Sequence, residues 1–444
     1  MKRTVLQVSV ALAMVGTGFG PSGAAVQAAD DMSPQHVSFQ QWDSTSSLAQ
    51  GRRDGTKVDH GRISLAHPIG TRTYSDPFGD GSSQAYEYAT WTSPVVHPGF
   101  ALDELVASWN ARTPDGTWIE VEMRGTTDSG ATSKWYVMGR WASDDPADDG
   151  AIHRTSVPSQ GDEVGYVAID TFVARTGRSL SDWQLRVTLY QRPSGHGDAA
   201  GARHRGGRDS GPTVDLVGAM ASALAVPAHV PASPLGGAEG ITLDVPAYSQ
   251  ETHIGQYPQW DNGGEAWCSP TSTAMVVAYW GTGPTRHDLA WVDPAYADPQ
   301  VDHAARNVYD YNYDGAGNWP FNTAYAATFG LESFVTRLRS LTEAEQFIKA
   351  GIPLVVSVSF KKGELDGAGY GTNGHLMVIV GFDDHGDVIV NDPASHLVKS
   401  NDAVRTTYDR EQFENTWIPH SGGIAYVIRP ADVPLPSRTG EANW

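Results

Sequence analysis

Residues 37–193 carry short runs in which apolar and polar side chains alternate with period two. In Trp118–Arg124, Ile119, Val121 and Met123 fall on one side and Glu120 and Glu122 on the other. Trp183, Leu185, Val187 and Leu189 alternate in the same way with Gln184, Arg186 and Thr188. Tyr86–Thr92, Glu104–Trp109, Lys134–Trp141 and Tyr166–Val173 read as further strands, separated by Gly, Pro, Asp and Ser clusters such as TPDG and DPADDG. Short alternating strands with such breaks predict an all-β sandwich or jelly-roll-like domain.

Residues 194–239 interrupt the pattern. The stretch 194–212 is Gly-rich and polar, the stretch 227–240 is rich in Pro and Gly, and the small apolar run Val214–Val226 between them reads as an inter-domain piece. Asp209-Ser210-Gly211-Pro212 has the look of a serine-protease nucleophile turn, but it sits in low-complexity sequence with no barrel pattern around it.

Beyond Gly240 helix and strand mix. Cys268–Trp280 reads as a helix with Ser, Pro and Thr in its first turn and Gly281 closing it. Thr342-Glu343-Ala344-Glu345 reads as a capping box opening a helix that ends at Gly351. Ile352–Phe360, Leu376–Phe382 and Asp387–Asn391 read as strands, the first two apolar enough to be central. An α+β domain over 240–444 follows.

The start of the chain has its own pattern. Lys2 and Arg3 precede an apolar run from Val5 to Phe19, and then the small-residue stretch GAAVQAAD, with Val26 and Ala28 placed as in a cleavage site. Residues 1–29 are therefore expected to be a signal peptide and the mature protein to be secreted, extracellular and free of the membrane. Asp plus Glu number 51 against 31 Lys plus Arg, a net charge of −20 that argues against nucleic acid as a partner. Seven tryptophans precede residue 190; they fit a sandwich core better than sugar-stacking platforms.

The chain has one cysteine, so neither an internal disulfide nor a Cys-x-x-Cys metal site can form. Cys268 falls at the predicted helix N-terminus, where unpaired N–H groups and the helix dipole favour an anion and hence a nucleophilic thiolate. Its neighbours are Ser, Pro and Thr rather than an apolar run. A thiolate nucleophile needs a base and a group that orients the base. His375 stands out among the histidines because Gly374 precedes it and a central strand follows. His385 lies in a turn, and His253, His287, His303, His396 and His420 fall in predicted loops or helix starts. A hairpin turn at Asp383–Gly386 brings Asp392 back to the end of the sheet that carries His375. Asn391 is an alternative orienter, and Asn-Asp-Pro is also an ordinary strand-ending turn. Gln250 ends the run LDVPAYSQ; its amide together with the Cys268 backbone N–H could form an oxyanion hole.

Taken together, DVPAYSQ, GGEAWCSPTSTAMVVAYWG, GNWPFNTAYAATFGL, AGIPLVVSVSF, GHLMVIVGF and VNDP resemble the peptidase C39-like cysteine peptidases, a branch of the papain-like superfamily, over Gly240–Pro430. The order Gln, Cys, His, Asp is more specific than any one string. The resemblance implies a papain-like fold, with Cys268 as nucleophile, His375 as general base and then acid, Asp392 as orienter and Gln250 as oxyanion donor. It also implies thioester acyl-enzyme chemistry on a peptide or isopeptide bond of a peptide or protein substrate, cell-wall-associated ones included, with no metal or cofactor. The best-known members are fused to exporters and cut leader peptides after Gly-Gly; this chain has neither membrane helices nor a nucleotide-binding motif, so that substrate does not carry over. The N-terminal domain shows no such match. Two alternatives remain: a transglutaminase-like acyl transferase, and a non-catalytic wall- or glycan-binding protein with a vestigial triad. Asp310-Tyr311-Asn312-Tyr313-Asp314-Gly315 opens like a calcium loop, but Phe321 stands where the bidentate Glu should be. It is expected instead to be an ordered loop by the active site.

Overall fold

The computed structural model describes residues 35–114, 116–144, 152–193, 211–225, 227–438 and 440–444. The expected signal peptide, most of the Gly-rich stretch and the Asp209-Ser210 pair lie outside them.

Two antiparallel sheets build the N-terminal sandwich. A seven-stranded sheet runs Gly165–Ala168, Thr171–Ala174, Glu104–Arg112, Thr213–Ala223, Arg62–Leu65, Thr56–Asp59, with His36–Trp42 also paired to Thr213–Ala223. A six-stranded sheet runs Arg52–Asp54, Ser83–Thr92, Gln184–Gln191, Trp118–Arg124, Tyr136–Trp141, with Gly70–Ser75 added on Ser83–Thr92. Ile119, Val121, Met123, Leu185, Val187 and Leu189 are all buried, as their alternation requires. Glu120 and Glu122, on the opposite face, are buried too: Arg72 and Arg140 pair with the first and Arg186 with the second. Trp42, Trp91, Trp109, Trp141 and Trp183 fill the core, Trp118 is buried on the opposite face of its sheet with Tyr74, Tyr86 and Tyr190, and Trp135 is half-buried beneath the guanidinium groups of Arg124 and Arg186.

Two segments differ from the sequence reading. The small apolar run after Pro212 is no inter-domain piece. Thr213–Ala223 is an interior strand, and the sandwich therefore extends well past residue 193. Its small residues are there for close approach: a Cβ on Gly218 would sit 3.0 Å from the Gln40 carbonyl oxygen. Tyr166–Val173 is not one strand but a hairpin, Gly165–Ala168 and Thr171–Ala174, turning at Ile169-Asp170 with Ile169 at φ 60°.

The C-terminal domain has a six-stranded antiparallel sheet in the order Glu332–Arg337, Ile424–Arg429, Leu354–Phe360, Thr372–Phe382, Val388–Asn391, Arg405–Tyr408. The helix Cys268–Tyr279 packs on it, with Ser272 donating to the Leu376 carbonyl at 3.0 Å. Helices Pro299–Val308, Trp319–Ala327 and Arg410–Ser421, absent from the sequence reading, complete the domain with Leu341–Lys349. The last is capped by Ser340, not Thr342: Ser340 accepts from the Glu343 N–H, while Thr342 donates to the Pro234 carbonyl.

The two domains share cores rather than being loosely tethered. Phe321, on Trp319–Ala327, packs between Trp109 and Trp141 with ring centroids 6.1 and 5.3 Å away. Phe39 stacks on Phe334 at 4.4 Å. Asn110 donates to the Ser333 carbonyl and accepts from its N–H, extending polar satisfaction across the joint. The hairpin tip inserts Asp170, which accepts from the Trp319 N–H at 2.8 Å, the N-terminal end of that helix.

Candidate active site

Cys268 is the first residue of its helix, after Trp267 in the N-cap position. N–H groups of a first helical turn have no acceptor within the helix. The Trp267 indole is buried and donates to the Trp260 carbonyl at 2.6 Å, which fixes the loop leading into the helix. Gly264 in that loop has φ 69°, and a Cβ on it would stand 2.2 Å from the carbonyl carbon of His253, so only glycine fits.

Gln250 opens a 3-10 turn, Gln250–His253, and is buried. Its backbone N–H donates to the Pro393 carbonyl at 3.0 Å and its Nε2 to the Glu265 carbonyl at 2.8 Å. One residue thus ties the segment after Asp392 to the loop before Cys268. A carbonyl can only accept, so the Glu265 contact fixes which end of the amide is nitrogen, and the second Nε2 hydrogen is available to a ligand.

His375 lies in Thr372–Phe382 and is buried. Its Nε2 and the Asp392 Oδ1 are 2.8 Å apart. Nδ1 is the ring nitrogen left over, and the Cys268 thiol lies close enough to act on the charge of the ring. Burial alone would lower the imidazole pKa. The charge and hydrogen bond of Asp392, reinforced by the nearby Cys268, outweigh it and hold the pKa above its ordinary value. The Tyr370 ring stands edge-on to the imidazole at 5.7 Å.

Asp392 is fully buried. Besides His375 it accepts from the Tyr370 hydroxyl at 2.9 Å, the Tyr408 hydroxyl at 2.8 Å and the Ala394 N–H at 3.0 Å. Burial pushes its pKa up, but the His375 charge and bond and the two tyrosine bonds hold it below the ordinary carboxylate value. Neither tyrosine was singled out by sequence: Tyr370 precedes the histidine strand and Tyr408 ends an edge strand, and no local pattern joins them to Asp392. Asn391 points the other way, as its neighbour in a strand must. It donates to the Pro246 carbonyl at 3.0 Å, accepts from Arg405 at 3.0 Å, and braces the segment leading to Gln250.

His253, also fully buried, faces Gln256 at 2.9 Å and Asp302 at 3.3 Å. The carboxylate of Asp310 is occupied by protein donors: the N–H groups of Ser156, Asn312 and Tyr313 and the amide of Asn318. Its loop is thereby docked on the N-terminal domain. Among the described residues no group of His, Cys, Asp and Glu is arranged to hold a metal ion, and no helix is long and apolar enough to cross a membrane.

A family model described as the peptidase C39 N-terminal domain matches residues 38–222, and one described as the peptidase C39-like family matches residues 242–424. The first match supplies the relationship that the sequence reading did not find for the sandwich, and it too runs to the end of the strand Thr213–Ala223. No curated protein matches the chain.

Proposed function

The chain belongs to the peptidase C39-like family, and from that premise we propose that it is a secreted cysteine-type peptidase of papain-like architecture. The observation that carries the reading is the buried Asp392–His375 pair presented to a thiol at a helix N-terminus. The Cys268 thiolate attacks the carbonyl carbon of a peptide or isopeptide bond. The resulting oxyanion takes hydrogen bonds from Gln250 Nε2 and from the Cys268 backbone N–H. As the C–N bond breaks, the His375 imidazolium protonates the leaving amine, and Cys268 is left as a thioester. His375 then takes a proton from water, the hydroxide adds to the thioester carbonyl, the C–S bond breaks, and the acid product departs as thiolate and imidazolium re-form. Asp392 holds the ring in register throughout, and the tyrosine hydroxyls hold Asp392. Export rests on the basic start, apolar run and small-residue stretch within residues 1–29.

The test is to incubate the protein with a defined peptide library and identify the products by mass spectrometry. Cleavage that disappears in Cys268→Ala and His375→Ala is expected. No cleavage by the unaltered chain, or undiminished cleavage by Cys268→Ala, would overturn the reading.

A further inference from the structure

The outer face of the six-stranded sheet carries a cleft of about 290 Å³, lined by Arg52, Thr92, Arg124, Trp135, Gln184 and Arg186. Strand register explains the grouping. Arg52 and Arg186 both pair with Thr92, and Gln184 pairs with Arg124 in the next row. Leu185 and Val187, the intervening residues, are buried in the core, so these side chains share the face turned away from it. No residue of the C-terminal domain lines the cleft, and the peptidase chemistry makes no use of it.

The guanidinium groups are held from behind. Nε and Nη2 of Arg124 donate to Gln184 Oε1 at 3.2 and 2.9 Å, and Gln184 Nε2 donates in turn to the Ser93 carbonyl at 2.9 Å. Nε and Nη2 of Arg186 donate to the two Glu122 oxygens at 2.6 and 2.7 Å. The Cζ atoms of the two arginines lie 4.4 and 4.3 Å from the centroid of the Trp135 ring. Each guanidinium thus commits one edge to the protein, and Nη1 of each has no acceptor among the described residues. Stacking on Trp135 accounts for these two arginines but not for Arg52. That residue comes from another strand, pairs with Asp54 at 2.6 Å and is 75% exposed. Donors fixed in place beforehand lose little entropy when a ligand takes their free N–H groups.

The charge in the cleft is selective. Three guanidinium groups meet two carboxylates, those of Glu122 and Asp54, which leaves one surplus positive charge in a chain of net charge −20. That surplus matches a monoanion, and a carboxylate can take two parallel N–H bonds from a guanidinium. The rest of the lining is hydroxyl, amide and indole, with no aliphatic side chain. The volume is at the small end of ligand sites, room for about one sugar ring. We propose that this cleft binds the carboxylate of an acidic sugar, a uronic acid unit of a polysaccharide. Its carboxylate meets the guanidinium groups, its hydroxyls meet Thr92 and Gln184, and the N-terminal domain thereby holds the protein on an acidic glycan.

Isothermal titration calorimetry on the full chain at low salt tests this, with trigalacturonate as the probe. Trigalacturonate is expected to bind and neutral galactotriose to show no heat. Arg52→Gln and Arg124→Gln should each weaken binding by about tenfold, the worth of one charge-assisted hydrogen bond, with the melting temperature unchanged. Arg62→Gln removes the same charge from the seven-stranded sheet, where Arg62 pairs with Asp215, and should leave binding as it was. No binding of trigalacturonate, or a loss in Arg62→Gln equal to that in the cleft variants, overturns the site. Triglutamate bound as tightly, and as sensitive to Arg52→Gln, overturns the sugar as its ligand. Glycerol phosphate, a dianion, bound more tightly than trigalacturonate overturns the match to a monoanion.

Discussion

Asp392→Asn keeps the volume of the side chain and removes its charge. In the structure the carboxylate takes the imidazole N–H at 2.8 Å and two tyrosine hydroxyls. An asparagine Oδ1 can still accept from His375, but its amide must then face Tyr370 and Tyr408, whose hydroxyls have to turn and accept. The bond to the ring falls from charge-assisted to neutral, a loss of about 1–1.5 kcal/mol, or roughly tenfold in the population of the imidazolium. The ring should therefore give up its proton about one pH unit lower, read from the nitrogen-15 shifts of His375 in labelled protein at stepped pH. Coincident His375 titration curves for Asp392→Asn and the unaltered chain would refute the idea that Asp392 sets the charge state of the ring.

Folding stability should carry the signature of the same pair. The folded pKa of His375 is raised above 6.5, so its contribution is complete below that value and drains away as pH rises through the folded pKa; the melting temperature should decline above pH 6.5 with a slope that His375→Gln reduces. Asp392 has a folded pKa below its ordinary 3.8, so its contribution is present above that pH and is lost as acid titrates the folded form. Asp170 behaves oppositely: burial raises its pKa to about 7, the folded state holds its proton longer than the unfolded one, and it erodes stability as pH rises between 3.8 and 7. Asp170→Asn should flatten the melting curve across that range, and an unaltered slope would show that the hairpin tip is not so enclosed. Phe321→Ala should cost about 3–5 kcal/mol in chemical denaturation, as for other large aromatic truncations, and should still give one transition. Two separated transitions in the unaltered protein would contradict a shared core.

What the residues disclosed in advance has a physical pattern. Strands such as Trp118–Arg124 were legible because one face is uniformly apolar over successive alternations. Cys268 was legible because a lone thiol stands where a helix begins, and the turn at Asp383–Gly386 foretold that Asp392 returns to the level of His375. Thr213–Ala223 was not legible, because Gly218, Ala219 and Ala221 look like spacers until the backbones they allow together are seen. The Tyr166–Val173 hairpin was hidden because a β-branched residue, Ile169, takes the left-handed turn that glycine or asparagine usually marks. Tyr370 and Tyr408 reach Asp392 only through the pairing of separate strands, and the Asn110–Ser333 contact joins positions 223 residues apart.

The ionisation of His375 tests the central claim most directly. In protein labelled with nitrogen-15 on its histidines, the ring nitrogens of His375 should both remain protonated well above pH 6.5, and Cys268→Ala should lower that limit, because the sulfur helps to hold the charge. A ring that titrates at or below 6.5, indifferent to Cys268, would contradict a thiolate and imidazolium poised together for attack.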